Sequence, residues 1–305
     1  MPVLGIDVSH HNGPVDWFAV SGSDVKFAFA KATEGNSLVD PQFDANWKGM
    51  GNVGLLRGAY HFARPGGDPE IQAAHFASTV GPRSFGGLPP ALDLETDGGL
   101  PPAQVVQWTL AFLARAEALF GRPLIIYTGG LWRRTLKDPD VPQLRDRWLW
   151  TARYGSNQPV VPRTWARWDI WQFTDGESGA VQRIPGISGP CDCDRFRGDL
   201  PELQALANQA AAPTPAPPIA ATPVDPARPP FGGRFLVWPC TPMISGDDVR
   251  VWQTRMRERG FAVDVDGFYG RQSRQACIAL QREMGIEPDG IVGGTTWNAT
   301  FDADT

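Results

Sequence analysis

Eight short apolar runs recur along the first two thirds of the chain, at 3–9, 27–33, 56–62, 90–95, 124–128, 148–153, 169–173 and 191–196. The early ones are apolar at nearly every position, the pattern of strands buried on both faces. Helical patterns lie between them. Segment 41–50 carries Phe43 and Trp47 four apart. Segment 69–80 carries Ile71, Ala74, His75 and Ala77 at helical spacing, behind a proline suited to a first turn. Segment 102–120 places Val106, Leu110, Leu113 and Leu119 on one stripe. Alternation of strand and helix predicts an α/β fold with a parallel sheet, and eight strands predict closure into a barrel. The last three runs are joined by short Gly- and Pro-rich stretches, so that part is expected to be antiparallel or irregular.

The barrel is expected to end near residue 206. Residues 211–230 read AAPTPAPPIAATPVDPARPP, with eight prolines. Such a stretch cannot bury a core and favours extended polyproline II. A Pro/Ala-rich linker is therefore placed at 207–233. A compact, mainly helical module is placed at 234–305. It contains an internal repeat: Asp266-Gly267-Phe268-Tyr269-Gly270 returns as Asp289-Gly290-Ile291-Val292-Gly293. Each copy reads as a turn leading into a helix, with Ser273 or Thr296 nearby. Helical patterns precede both turns, through Val249, Trp252 and Met256, then Ala276, Leu280 and Met284.

The strongest chemical signal is Leu92-Asp93-Leu94-Glu95. Residues two apart on a strand share a face, so Asp93 and Glu95 project together while Leu92 and Leu94 point away. Neighbouring carboxylates repel, which favours one of them keeping a proton near neutral pH. Glycosidic cleavage needs such a pair, one acid to protonate the leaving oxygen and one anion to stabilise charge at the anomeric carbon. Asp7 ends the first strand and Asp192 lies in the last. In a barrel, reactive groups gather at the carboxyl ends of different strands.

Other chemistries find less support. A net charge of −5 gives no broad basic field for nucleic acid. No apolar run is long enough to span a bilayer, so no membrane insertion is expected. His10, His11, His61 and His75 show no metal-binding spacing, and no metal or cofactor is expected. His61, between Tyr60 and Phe62, reads as a hydrogen-bonded barrel residue rather than a proton shuttle. The four cysteines, Cys191, Cys193, Cys240 and Cys277, read as buried free thiols, with a Cys240–Cys277 disulfide as the alternative. The start of the chain lacks the charged and apolar regions of a secretory signal.

The segments Gly5-Ile6-Asp7-Val8-Ser9, Phe29-Ala30-Lys31-Ala32-Thr33-Glu34-Gly35, Gly58-Ala59-Tyr60-His61-Phe62, Leu92-Asp93-Leu94-Glu95 and Trp171-Gln172-Phe173 occur in this order. In them the N-terminal 200 residues resemble the glycoside hydrolase family 25 muramidases. The resemblance implies a flattened, irregular (β/α) barrel and retaining hydrolysis of the β-1,4 bond after N-acetylmuramic acid in bacterial peptidoglycan. It implies Glu95 as general acid/base and Asp93 as the group that stabilises the oxocarbenium, directly or through the substrate's acetamido group. Asp7 and Asp192 would tune the site, and Tyr60, Trp171 and Tyr127 would line sugar subsites. Asp194 stands where the family often has asparagine, and its carboxylate either faces the cleft or points away. The C-terminal module, with its two D-G-x-x-G turns, Gln253, Gln281 and Thr296-Trp297, resembles small peptidoglycan-binding domains. Together these imply a monomeric lytic enzyme of the phage endolysin kind, made in a host cytoplasm and released through a holin. The alternatives are a bacterial autolysin and an inactive protein that only recognises wall glycan.

Overall fold

The computed structural model describes residues 2–81, 87–180, 182–208, 229, 231, 236–238, 243–286 and 288–301. The chain divides into two compact units, Met1–Thr214 and Pro215–Thr305. The proposed linker lies almost wholly outside the described residues.

The first unit is built on β1 (Val3–Val8), β2 (Phe27–Glu34), β3 (Leu38–Val39), β4 (Leu56–Phe62), β5 (Ala91–Asp93), β6 (Ile125–Thr128), β7 (Leu149–Ala152), β8 (Ile170–Thr174) and β9 (Asp192–Phe196). Neighbours follow the order β1-β9-β8-β7-β6-β5-β4-β2-β3, and β1 also pairs with β2, which closes eight strands into a barrel. The eight expected runs are these strands. The two-residue β3 was not expected and hangs antiparallel on β2 outside the ring.

The last three strands, expected to be antiparallel or irregular, meet that expectation in β9 and in their irregular connections, but not in the direction of β7 and β8. β6, β7 and β8 run parallel, and only β9 is antiparallel to both its neighbours, β8 and β1. The connection β6–β7 holds only a π-helical turn at Leu131–Thr135 and a 3-10 turn at Pro142–Leu144. Parallel pairing needs a crossover long enough to return the chain, and these irregular segments supply the length without a full helix.

Alternation along the strands divides the core into two layers. Val3, Phe27, Phe29, Ala91, Ile125, Trp150, Ile170 and Phe196 pack together inside the ring. Ile6, Val8, Ala28, Ala30, Leu92, Leu94 and Ile126 pack outward. Two glycines make the interior possible. A Cβ on Gly5 or on Gly58 would fall within the rings of Phe27 and Phe29, each 2.2 Å from the nearest ring carbon. The glycines are therefore set by the space the two phenylalanines fill.

The outer layer is completed by α1 (Trp17–Ser21), α2 (Phe43–Asn52), α3 (Pro69–Val80), α4 (Pro102–Phe120) and α5 (Leu200–Ala207). Asp68 caps α3 by accepting from the amides of Glu70 and Ile71 ahead of a proline at the first turn. The buried stripe of α4 is Val105, Trp108, Thr109, Phe112, Leu113, Ala116 and Phe120. The expected stripe was rotated: Val106 and Leu110 lie at its border and Leu119 is exposed. The bulky rings of Trp108, Phe112 and Phe120 decide which face turns inward, because they bury most area.

The second unit contains α6 (Asp247–Glu258), α7 (Arg271–Glu283) and α8 (Gly294–Phe301) around Val249, Trp252, Met256, Tyr269, Leu280, Val292 and Trp297. Met284, expected on the α7 stripe, caps that helix and is exposed. Pro229 and Phe231 pack here too: Trp297 donates to the Pro229 carbonyl at 2.8 Å and its ring meets that of Phe231.

The internal repeat has a structural basis. The amide nitrogen of Gln253 donates to Asp266 Oδ1, the Phe268 carbonyl and Ser273 Oγ, and its oxygen accepts from Gly267 N–H. Gln281 repeats every contact with Asp289, the Ile291 carbonyl, Thr296 Oγ1 and Gly290 N–H. Gly267 and Gly290 adopt φ of 78° and 74°, the left-handed region that favours glycine. Cys277 is a buried free thiol, as are Cys191 and Cys193, which removes the disulfide alternative for Cys277. Cys240 lies outside the described residues.

Candidate active site

Five strands bring acids and phenols to one end of the barrel. Asp7 lies near the end of β1 and Asp93 is the last residue of β5. Antiparallel β9 delivers its first residue, Asp192, directly opposite Asp7. Tyr60 on β4 and Tyr127 on β6 complete the ring, Tyr127 being the partner of Asp93 in register. Gly35, Gly129 and Gly130 begin the loops at this rim.

Asp93 and Glu95 take the expected arrangement. Leu92 and Leu94 are fully buried in the outer layer, while Asp93 faces the interior and Glu95 is exposed at the mouth. The negative charge of Glu95 acts on Asp93, Asp192, Tyr127 and Tyr154, which shows that it faces the same space. Burial raises the Asp93 carboxyl well above the usual range, and the Glu95 charge adds to this, against a smaller pull downward from Lys31. Asp93 is therefore favoured to keep its proton. Its Oδ1 is buried with no hydrogen-bond partner.

The remaining acids are raised for the same reason. Burial, then the charges of Asp192 and Asp194, hold Asp7 well above its ordinary value. Burial, then Asp175 and Glu95, push Asp192 up to about 7. Burial likewise raises Asp194, ahead of the charge of Asp192.

Sequence reasoning missed the residue that ties these groups together. Gln172 on β8 donates from Nε2 to Asp7 Oδ2 at 2.8 Å. Its Oε1 accepts from the Tyr127 hydroxyl at 2.8 Å and the Tyr154 hydroxyl at 2.7 Å. Trp150 on β7, also missed, donates Nε1 to Asp194 Oδ1 at 2.8 Å. Lys31 on β2 is buried, pairs with Glu34, and lies 4.8 Å from the Phe62 ring centroid. Glu34 in turn accepts from Arg64 Nε at 2.9 Å. Burial pulls the Glu34 carboxyl up, but hydrogen bonds from Lys31 and Arg64 outweigh it and hold the group low.

Trp171 is not brought to the acids. It follows Ile170 and precedes Gln172, both inward, so its ring packs in the outer layer against Trp168 and Phe173. Its Nε1 donates to the Arg153 carbonyl at 2.9 Å and Arg195 lies over the ring. Tyr60, Tyr127 and Asp194 are inward, Asp194 with no exposed surface. The expectation that Asp194 faces the cleft or points away resolves into a third placement, below Asp7 and inside the barrel wall.

The model of the glycosyl hydrolases family 25 matches residues 6–181, and that of a putative peptidoglycan binding domain matches residues 245–299. The lysozyme M1 of Streptomyces globisporus is 37% identical over 218 residues, covering 68% of this chain and 72% of that protein. An N,O-diacetylmuramidase of a Chalaropsis species is 34% identical over 187 residues, 57% of this chain and 88% of its own length. A crystal structure of the bacterial lysozyme from Streptomyces coelicolor superposes with a TM-score of 0.63 at 36% identity, covering 68% of this chain and 98% of that one. The closed barrel, the ring of acids at its carboxyl end and these matches together place the chain in the glycosyl hydrolases family 25, with a peptidoglycan-binding domain at its C-terminal end.

Proposed function

We propose that this chain is a muramidase that hydrolyses, with retention, the β-1,4 bond between N-acetylmuramic acid and N-acetylglucosamine in bacterial peptidoglycan. The observation that carries the reading is the pair at the end of β5, Asp93 buried with its carboxyl raised well above the usual range and Glu95, two residues on, at the mouth. Glu95 is the general acid/base. It stands exposed at the mouth of the barrel, where it can hand a proton to the leaving oxygen. Asp93, beneath it, stabilises the positive charge that develops at the anomeric carbon. A cation above Asp93 favours its ionised form, the form that stabilises the charge. Stabilisation is direct or runs through a hydrogen bond to the substrate's acetamido group. Asp7 and Asp192 contact substrate from the opposite wall, and Tyr60 and Tyr127 border the sugar. Trp171 acts on the site only by packing.

Mass spectrometry of products from purified peptidoglycan, with reducing ends labelled by borohydride, tests the reaction. New reduced muramic acid ends are expected. Reduced glucosamine ends, or none with wall binding retained, would overturn it in favour of a glucosaminidase or a recognition protein. Glu95→Gln is expected to lower turnover by ~10³-fold or more with wall binding intact. Substantial residual turnover removes Glu95 from its role. Proton NMR of the first-formed anomer reports retention.

The biological setting we propose is lysis by a monomeric phage enzyme that reaches the wall through holes made by another protein. A cutting barrel joined to a wall-binding module suits that task. Cytoplasmic expression of the chain alone should leave cells intact, and co-expression with a holin should lyse them. Lysis without the holin would favour an autolysin that exports itself.

A further inference from the structure

The catalytic reading above leaves Asp194 without a task. It is fully buried on β9, opposite Gly5 of β1 and Gln172 of β8. Its Oδ1 accepts from Trp150, while Oδ2 meets no N–H or O–H donor. The neighbour within hydrogen-bond reach is the carboxyl of Asp7. Asp7 itself has one oxygen held by Gln172. The two carboxyls thus meet, Asp194 accepting from Trp150 and Asp7 from Gln172, and no cation is among the leading influences on either.

Contact between two buried carboxylates requires a proton between them. Two full negative charges there would be mutually repelled and poorly solvated, whereas one shared proton turns the same contact into a strong hydrogen bond. We propose that Asp194 shares one proton with Asp7, so that the pair carries a single negative charge, and that Asp194 is a positioning residue that holds the Asp7 carboxyl toward substrate. The proposal rests on the role given above to Asp7. The proton belongs to the pair and is not assigned to either member.

Every wall around the pair is accounted for. Asp192 faces it from β9, Trp150 from β7, and Gln172 from β8 with the Tyr127 and Tyr154 hydroxyls behind it. Asp93 of β5 acts on Asp7, and Asp7 in turn on Tyr60 of β4. The cation of β2, Lys31, acts on Asp93 and is held by Glu34. Burial and the charges of Asp192 and Asp93 favour retention of its proton and outweigh the hydrogen bonds from Gln172 and Trp150, which favour its loss.

An amide at 194 reproduces the shape and supplies its own N–H to Asp7, so Asp194→Asn carries the charge of the shared pair without the shared proton. Asp194→Leu keeps the bulk and supplies neither. The unfolded chain gives up such a proton above about pH 4, so the native protein must take one up on folding, which costs stability as pH rises. The measurement is the barrel's thermal unfolding in the full chain, from about pH 4 to about pH 8. Asp194→Asn should match wild type at the acid end and exceed it by a margin of several degrees that grows with pH. On purified peptidoglycan, Asp194→Leu should turn over ~10-fold or more slowly than Asp194→Asn, with the loss in kcat and little in KM.

A gap in unfolding temperature that does not change with pH overturns the shared proton. Equal kcat for the two variants overturns the positioning role. Asp7→Asn removes the same proton and should show the same pH-dependent gain whatever its activity. Failure of both amide variants to fold would also overturn the proposal, because an amide preserves the contact that a shared proton makes. If wild type releases no reducing ends at all, the muramidase reading fails while the stability result still stands.

Discussion

His61 shows how a titratable residue inside a barrel wall is silenced. Gln72 is fully buried on α3, and its amide is oriented by Arg64, whose N–H it accepts and whose carbonyl it bonds. That orientation presents Oε1 to His61 Nε2 at 3.0 Å, so Nε2 carries the hydrogen and Nδ1 accepts from Thr33 Oγ1 at 2.8 Å. The ring also stacks on Phe112, 5.1 Å between centroids. Burial drives its pKa down to about 3. The folded value lies below the unfolded one, so His61 gives up stability as pH falls from about 6.5 toward about 3 and costs nothing above. NMR should find its imidazole neutral throughout pH 5 to 8. Titration near 6.5 would place the ring in water and contradict this packing. The sequence marked His61 as structural because Tyr60 and Phe62 flank it in an apolar run. It could not identify Gln172, Trp150 or Lys31. Their strands are buried on both faces, so apolar periodicity does not say which residues face the interior. The resemblance put Trp171 on the sugar side, whereas its neighbour Gln172 is the one that faces the interior.

At the scale of elements, the repeated turns of the second unit depend on two glutamines more than on their helices' apolar faces. Each glutamine satisfies four partners around its D-G-x-x-G turn, and both are buried. Replacing Gln281 by alanine leaves Gly290 N–H and Asp289 Oδ1 without this partner and opens a cavity beside Thr296. We expect a loss of about 2 to 4 kcal/mol for this unit, with a similar loss for Gln253→Ala. Denaturant titration followed by tryptophan fluorescence checks it. A loss under about 0.5 kcal/mol would mean the turns hold themselves. The repeat was legible because turn residues are specified locally, by glycine at positive φ and aspartate beside it. Strands were legible for the same kind of reason, as were the boundaries of α3 and α4, each fixed by a proline at its start and a glycine at its end. The direction of β7 and β8 was not, because pairing is decided by crossovers whose π and 3-10 turns have no periodic signature.

At the scale of the whole molecule, each unit owns its core. Among the described residues, the inner and outer layers of the barrel contain none beyond Ala207, and the helical cluster contains none before Phe231. Cooperative folding needs only the contacts within a core, so residues 1–210 should fold alone and keep their turnover on soluble glycan fragments. Action on whole walls is a separate matter. A second attachment point raises the effective concentration of the barrel near its substrate by an amount that depends on the reach of the connection. Removing the C-terminal unit should therefore leave kcat on fragments nearly unchanged and lower the rate on intact walls by ~10-fold or more at low enzyme concentration, with the deficit closing as enzyme is raised. Turbidity loss of purified walls across a concentration series reads both effects. A truncated barrel that fails to fold places the boundary elsewhere. One that matches the full chain on walls at every concentration assigns the helical unit a task other than attachment.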